Sequence, residues 1–443
     1  MDYGRLLLNF ETKSTIENNP YFIVNTKSGR ALFIVDNTAQ VEMVAPVIME
    51  LPNLDILAIN VDKWYYKSEI EESLSRLKIP YITVEHCNKK SINKLLIREK
   101  PAIVIVCNDE ASIVRLFVDS ANFMGIPTLL IQDGILSRKI GKDEFKRSTN
   151  AQMIFKYFFA LPSVIFNFVL RNKLSWHNKI EIVIFELRYR PKWAKKGTGM
   201  YPGTGNCTKM AVFSDITKEM FIVEGIDSER IVVTGNPKFD KIYYSKNTST
   251  KEMFCQKYGI PSDKHVIVLL TQFWVEAKLW SIAERKQFVL AIVNAVIGLP
   301  NTQLIVKLHP PHENEHDYLE IVKGLPSRPI ILKYTSLPEL LNACSLAITV
   351  SSTAALEAMA LGKPVIIVDL FNQSGNSFFN GSGALFARIE QEILPAMRRA
   401  LYDEQTKDEM AKSIENFVFK QAYLQDGQAS KRIADLIMSM GKR

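Results

Sequence analysis

The chain has 443 residues, of which 47% are hydrophobic and 23% charged, and these proportions of a packed protein exclude a disordered or fibrous chain. At roughly 100 to 200 residues per domain, this length predicts two domains. Five cysteines with no Cys-x-x-Cys pair argue against a disulfide framework or a zinc ribbon. Because residues 1–30 also lack the pattern of a secretory signal, we expect a cytoplasmic protein.

The net charge is +8, and a single segment supplies the excess. Residues 138–196 contain fourteen basic and four acidic side chains, and within them residues 153–170 form an apolar, aromatic run that contains Lys156 and Pro162. An apolar run with basic flanks is typical of a surface that binds anionic lipid. Binding to a nucleic acid would favour aromatic side chains interleaved with Lys and Arg instead, so we expect no nucleic-acid partner.

The sequence on both sides of this segment has the pattern of two domains that must close on each other, as described below. A transmembrane span in the segment would place these two domains on opposite sides of the membrane. We therefore expect an interfacial or re-entrant helix pair bent at Pro162, with an ordinary buried helix as the alternative. The predicted membrane-contact residues are Phe155, Phe158, Phe159, Phe166, Phe168, Arg171 and Lys173.

Short apolar runs alternate with helical patterns along the rest of the chain. Runs of Ile, Val and Leu without polar alternation predict strands buried on both faces of a parallel sheet. The predicted strands of the first half are 31–35, 56–61, 81–84, 102–106, 128–131, 210–213 and 231–234, and those of the second half are 266–270, 303–307, 330–332, 346–350 and 365–368.

These elements predict an α/β protein with two doubly wound, Rossmann-like domains that face each other across a cleft. The first domain would span residues 1–244, with the basic insert at 138–207, and the second residues 245–443. The last helix, 430–440, could pack back across the hinge. Because ligands of such sheets bind at the carboxyl ends of the strands, we expect the catalytic and binding residues there.

The strongest chemical signal follows strand 346–350. Ser351, Ser352 and Thr353 would lie at the start of a helix, where backbone N–H groups and hydroxyls can bind a phosphate. Glu357 lies one turn further along the same side, within reach of a ribose. The alternative is a helix that is simply capped by its serines.

A second signal is Lys307-Leu308-His309-Pro310, at the predicted end of strand 303–307. His309 could donate a hydrogen bond or a positive charge to a phosphate, and Lys307 is a second candidate ligand. The histidines and acidic residues of 312–317 favour a solvated surface over a metal cluster. Since the chain has no Asp-x-Asp triplet, we expect neither a metal nor another cofactor.

In the first half, Gln132-Asp133-Gly134 follows strand 128–131. Asp133 could take a proton from an attacking hydroxyl across the cleft, or it could be only a turn residue before glycine. Asn108 and Asp109 follow the preceding strand, where helix capping is the alternative role. We place Asn108, Asp109 and Gln132 on the side of the acceptor.

Four motifs of this chain resemble the glycosyltransferase-B superfamily, namely VTGNPKFD (233–240), KLHP, SSTAALEA and DGQASKRI (426–433). More narrowly, an acidic-Gly motif in the first half, together with His-Pro and Ser-Ser motifs in the second, resembles bacterial sialyltransferases that use CMP-sugars and the CDP-glycerol or capsule polymerases. That resemblance implies that Asp133 is the general base and that His309, Ser351 and Ser352 bind the donor phosphate. Gln132 departs from the sialyltransferase pattern, in which a second acidic residue is common.

A rival resemblance is to the UDP-N-acetylglucosamine 2-epimerase family, which also carries a VTGN segment, a histidine-proline step and a serine-headed helix. Its catalytic carboxylates would fall near Asp109 and at Gln132, and another of its motifs on residues 271–274. Because glutamine cannot exchange a proton near neutral pH, this resemblance implies epimerisation only if another acid substitutes.

The sequence therefore predicts an enzyme that moves a sugar, or a polyol phosphate, from a nucleotide-activated donor to a lipid-linked or surface-glycan acceptor. We expect a direct displacement, with Asp133 and His309 as the catalytic residues and a location on the inner face of the cell membrane. An epimerase of nucleotide sugars and a non-catalytic membrane adaptor are the alternatives.

Overall fold

The computed structural model describes residues 29–62, 67–84, 89–109, 112–134, 203–248, 250–309, 313–325, 328–372 and 378–441. Most of the predicted insert lies outside these residues. The same is true of all the predicted membrane-contact residues, Phe155, Phe158, Phe159, Phe166, Phe168, Arg171 and Lys173. Within the described ranges, no helix combines the length and the apolar character that crossing a membrane requires.

The first half forms a sheet of seven described strands, all parallel, in the order β3-β2-β1-β4-β5-β6-β7. Successive residues of β1 and β4 belong to two different apolar clusters, as expected when side chains alternate between two buried faces. The strands are β1 (Arg30–Val35), β2 (Asp55–Asn60), β3 (Tyr81–Thr83), β4 (Ile103–Val106), β5 (Thr128–Ile131), β6 (Lys209–Val212) and β7 (Ile231–Val233).

The second half forms a sheet of six described strands, also parallel, in the order β10-β9-β8-β11-β12-β13. In each sheet the strand order reverses beside the first strand, between β1 and β4 and between β8 and β11. Such a reversal opens a crevice at the carboxyl ends of the strands, where ligands bind. The strands are β8 (His265–Leu270), β9 (Thr302–Lys307), β10 (Ile330–Leu332), β11 (Leu346–Thr349), β12 (Val365–Val368) and β13 (Leu385–Ala387).

Helices connect the strands and cover both sheets. Local signals set several of their ends: a capping box of Ser281 and Glu284 begins α8, and the left-handed Gly259 ends α7. The helices are α1 (Thr38–Met49), α2 (Lys67–Arg76), α3 (Lys89–Glu99), α4 (Ser112–Phe123), α5 (Asp215–Val223), α6 (Pro237–Thr248), α7 (Lys251–Tyr258), α8 (Ile282–Ile297), α9 (Glu315–Val322), α10 (Leu337–Ala343), α11 (Ala354–Ala360), α12 (Glu390–Tyr402), α13 (Glu404–Ala422) and α14 (Ala429–Met440).

Among the described helices, α6 and α14 connect the two halves. Helix α6 packs against α1 on one side and against α10 and α11 on the other. Helix α14 returns to the first sheet, where Ile433 and Ile437 are fully buried in the cluster that also contains β1. The buried carboxylate of Asp240, on α6, accepts the amides of Ala429 and Ser430 at 3.0 and 2.7 Å and so fixes the start of α14.

The predicted architecture of two facing Rossmann-like domains is confirmed. The predicted division between residues 244 and 245 falls inside α6. The first helix after the first sheet therefore carries the chain from one domain to the other.

Candidate active site

Asp133 lies at the cleft edge of the first sheet, two residues beyond the end of β5. Its Oδ1 accepts a hydrogen bond from Lys238 Nζ at 2.8 Å, and the two side chains form an ion pair that is 24% and 32% exposed. Its Oδ2 lies 3.5 Å from Nε2 of Gln40, a buried side chain of α1. A cation and an amide thus fix the direction of this carboxylate.

Lys238 reaches Asp133 because of the turn between β7 and α6. Gly235 has φ +75° at this turn, a conformation that favours glycine. The buried Asn236 donates to the carbonyl of Gln132 at 2.8 Å and accepts the amide of Lys238 at 2.9 Å. The segment TGNPK therefore places a lysine beside the carboxylate at the end of β5, a contact that the sequence analysis missed.

The pKa of Lys238 is raised, although burial opposes its charge, because the carboxylates of Asp133 and Glu357 lie near it. Glu357 belongs to α11 of the second domain and is partly exposed. Burial raises the pKa of Glu357, and the positive charges of Lys238 and Lys241 oppose that rise. Lys238 is thus a cation between an acid of the first domain and an acid of the second.

A second carboxylate, Asp36, lies at the same edge immediately after β1. Its carboxylate accepts hydrogen bonds from Nδ2 of Asn108 at 2.6 Å and from Nδ2 of Asn37 at 2.8 Å. Burial raises its pKa, and the charge of Asp133 adds to that rise. Asp36 was not predicted as a site residue, although it follows a strand in the same way as Asp133 does.

Asp109 and Gln132 do not fit the predicted role on the acceptor side, because their polar atoms are used inside the fold. Asp109 is fully buried, and its carboxylate accepts the amides of Gly203 and Gly205 at 2.8 and 2.5 Å. Gln132 is 4% exposed, accepts the amide of Phe213 at 3.0 Å and donates to the carbonyl of Gly134 at 2.8 Å. Both side chains therefore hold the backbone of neighbouring loops in place. Of the three predicted residues, Asn108 is the one that joins Asp36 at the edge.

The hydroxyls of the second domain lie where β11 turns into α11. Gln272, just after β8, accepts the amide of Ser351 at 2.9 Å and places its Nε2 3.3 Å from Ser351 Oγ. Ser352 Oγ accepts the amide of Ala354 at 3.2 Å, so this serine follows the capping alternative. Thr353 is exposed and makes no side-chain bond to the helix. Ser351 and Thr353 are the hydroxyls best placed for a ligand.

His309 follows β9 at the same edge of the second sheet. Its ring lies 4.9 Å from the ring of Phe273, and its backbone amide donates to Glu313 Oε2 at 2.7 Å. Glu313 is fully buried, so the expectation of a solvated surface for 312–317 is wrong at this residue. No group of side chains among the described residues has the composition of a metal site.

Lys307 points into the fold and not toward a phosphate. It is 8% exposed, and its Nζ donates to the carbonyls of Leu308 at 2.8 Å and Lys333 at 2.9 Å. Burial lowers its pKa to about 8. The predicted role as a phosphate ligand does not agree with these contacts, which join β9 to the end of β10.

Two parallel sheets of Rossmann type, joined by α6 and crossed by α14, define a protein of the glycosyltransferase-B architecture, and the predicted resemblance is confirmed. The family described as UDP-N-acetylglucosamine 2-epimerase matches residues 207–438, slightly more than half of the chain, and the chain belongs to this family. In sequence, no curated protein matches it.

Several solved structures share this fold at low sequence identity. The UDP-GlcNAc 2-epimerase of Neisseria meningitidis bound to UDP-GlcNAc has a TM-score of 0.60 and 17% identity, with 93% of this chain and 100% of that chain covered. MnaA of S. aureus with UDP has a TM-score of 0.59 and 15% identity, with 92% and 96% covered. The wall teichoic acid polymerase TagF has a TM-score of 0.58 and 13% identity, with 94% and 90% covered.

Proposed function

We propose that the chain is a glycosyltransferase that moves a sugar, or a polyol phosphate, from a nucleotide-activated donor to a lipid-linked or surface-glycan acceptor. The observation that carries the proposal is the position of Asp133. This carboxylate is oriented by Lys238 at the cleft edge of the first domain. The same lysine interacts electrostatically with Glu357 in the second domain. An oriented acid therefore lies beside the domain that carries the hydroxyls and His309.

In the proposed reaction, Asp133 accepts the proton of the acceptor hydroxyl while that oxygen attacks the transferred group of the donor. The bond between this group and the nucleotide phosphate breaks, and its electron pair leaves with the phosphate. Ser351, Thr353 and His309 donate hydrogen bonds to the departing anion. A positioned base typically contributes 10²–10⁴-fold, and fixed donors at the developing charge often contribute a larger share of the rate.

The donor class is supported by the comparisons. The family match covers the whole second sheet, and two of the similar structures contain UDP-GlcNAc or UDP. We propose a nucleotide sugar as the substrate on this basis. Metal independence is part of the same proposal, because the chain has no Asp-x-Asp triplet.

The alternative is an epimerase of nucleotide sugars, which the family match favours. That match begins at residue 207 and leaves out β1 to β5, the strands that carry Asp36 and Asp133. The two positions at which the family's acids would fall, Asp109 and Gln132, are buried and engaged by backbone groups. Asp36 and Asp133 would have to supply the acids of an epimerase.

One assay separates the two reactions. The full-length protein is incubated with UDP-GlcNAc, with and without a glycolipid acceptor fraction, and the nucleotide and sugar products are identified by mass spectrometry and NMR. The transferase predicts release of the nucleotide only when the acceptor is present. Conversion of UDP-GlcNAc to an epimer without any acceptor would establish the alternative. No affinity for CMP, CDP or UDP in calorimetry would leave a non-catalytic adaptor.

Membrane association remains a proposal that rests on the composition of residues 138–196. Basic side chains near an anionic bilayer contribute about 1 kcal/mol each, and salt screens this attraction. Binding of the full-length protein to vesicles that contain phosphatidylglycerol should therefore weaken strongly between low and high salt. Binding that ignores salt would favour the buried-helix alternative. We place the protein at the inner face of the cell membrane.

A further inference from the structure

Glu313 is a fully buried acid in the segment between β9 and α9. Three donors from three different parts of the second domain converge on its carboxylate: the backbone amide of His309, the hydroxyl of Thr271 and the hydroxyl of Tyr318. A buried carboxylate is stable only when its oxygens are well satisfied. Glu313 therefore ties these three segments together.

Two of the three contacts lead to the donor side of the proposed site. The first holds the main chain of His309, the predicted phosphate ligand. The second holds Thr271, and the next residue along the chain, Gln272, accepts the amide of Ser351. One buried carboxylate thus reaches both the imidazole-bearing segment and the first serine of the strand-helix turn.

The charges around Glu313 explain why its contacts are needed. Burial raises its pKa, the hydrogen bonds from Thr271 and Tyr318 oppose that rise, and the like charge of Glu276 adds to it. Two buried cations lie nearby: Lys307 interacts electrostatically with Glu313, and Arg285 lies 5.3 Å from the ring of Tyr318. Each hydrogen bond to this carboxylate therefore favours the charged form against the cost of burying it.

We propose that Glu313 is a positioning residue that fixes His309 and, through Thr271 and Gln272, Ser351 in the geometry that binds the donor phosphate. This inference rests on the proposed function, since it takes His309 and Ser351 as phosphate ligands. Glu313 is buried and acts through other residues, so it does not itself contact the donor.

The test uses Glu313→Gln in the full-length protein, because the amide keeps the size of the side chain and removes its charge. In this variant either the Tyr318 hydroxyl or the His309 amide faces an N–H group in place of an acceptor, so the segment must shift. Misplacement of a reacting group by about 1 Å can lower the rate by about 10²-fold. We expect UDP to bind about tenfold more weakly in calorimetry and kcat to fall further than KM rises.

A second readout needs no substrate. The imidazole Cε1–Hε1 signal of His309, assigned with His309→Asn, should move in Glu313→Gln and in Thr271→Val, which removes one hydroxyl only. Glu320→Gln is the matched control, because Glu320 lies on α9 and pairs at the surface with Lys323. In this control both the His309 signal and UDP binding should remain unchanged.

The outcomes are distinct. A Glu313→Gln protein with lower stability to urea but unchanged UDP affinity and an unchanged His309 signal would overturn the proposal, since Glu313 would then serve the fold alone. If the glutamine variant does not fold, Thr271→Val gives the same two readouts and decides in the same way. Failure of the wild type to bind any nucleotide would refute the proposed function, whereas the His309 signal would still test the positioning role.

Discussion

The two strand edges that face each other across the cleft differ in where their charge lies. At the first edge the charged groups Asp133, Lys238 and Asp36 are partly exposed and paired with one another or with amides. At the second edge Glu313 and Lys307 are buried, Glu357 of α11 is partly exposed, and the hydroxyls of Ser351 and Thr353 and the imidazole of His309 follow the ends of the strands. The first edge thus suits proton transfer, and the second suits binding of an anion.

The largest effect is expected from Asp133→Asn, which changes the first edge alone. If Asp133 is the base, this substitution should lower kcat by about 10²–10⁴-fold and leave the affinity for UDP nearly unchanged, because the nucleotide binds to the other edge. Rapid-quench or steady-state kinetics and calorimetry measure the two quantities. Glu42→Gln, which changes a partly exposed acid on α1 that pairs with Lys241, should have no effect on either.

The opposite result is expected for the hydroxyls of the second edge. The double substitution Ser351→Ala with Thr353→Ala should weaken UDP binding by about ten- to a hundredfold, since hydrogen bonds to charged groups contribute about 1.5 to 3 kcal/mol each and water replaces part of that. Calorimetry gives the affinity directly. Ser281→Ala, at the start of α8, serves as the control for loss of a helix-capping hydroxyl. Equal affinity in the double variant and the wild type would remove the anion site from this turn.

The link between the edges is tested with Lys238→Met. Without its cation Asp133 loses the contact that orients it, and we expect kcat to fall about tenfold. Lys238→Arg should retain most of the activity. Lys241→Met is the matched control, because Lys241 lies one turn further along α6 and pairs with Glu42. If Lys238→Met and Lys241→Met behave alike, the ion pair has no role in the reaction.

The smallest effect concerns stability and pH, and it tests the joint between α6 and α14. Burial raises the pKa of the Asp240 carboxyl group. The folded state therefore binds the proton of this carboxyl group more tightly than the unfolded chain does. The stability that this proton supplies is present below the unfolded pKa of about 3.9 and is lost as pH rises through the folded value. Asp240→Asn lacks this titration.

The advantage of wild type over Asp240→Asn in urea unfolding should therefore shrink as pH rises from about 4 toward neutrality. An advantage of the wild type that grows with pH would show that the carboxylate is stabilised in its charged form.

Much of the fold was predictable because its signals are local. Continuous apolar runs marked the strands, and the Ser351–Thr353 turn was visible from a buried strand followed by hydroxyls and a helix. The charged partners were not predictable in the same way. Lys238 meets Asp133 across 105 residues of chain, and Asp109 meets Gly203 across 94.

Lys307 and Glu313 show the same limit from the other direction. Lys307 was predicted to bind a phosphate at the cleft, and Glu313 to lie on a solvated surface, yet both side chains are buried. The carbonyl of Lys333, which accepts a hydrogen bond from Nζ of Lys307, lies just beyond the neighbouring strand β10. The order of the strands, which no local pattern encodes, decided the role of each side chain.

In the proposed enzyme, the phosphate of the donor binds at the second edge, opposite Asp133. The most direct measurement is a crystal structure of the full-length protein with UDP or CDP, whichever binds in calorimetry. We predict phosphate oxygens within hydrogen-bond distance of Ser351, Thr353 and His309, on the side that faces Asp133. A nucleotide bound elsewhere, or a phosphate turned away from Asp133, would contradict the proposed phosphate site.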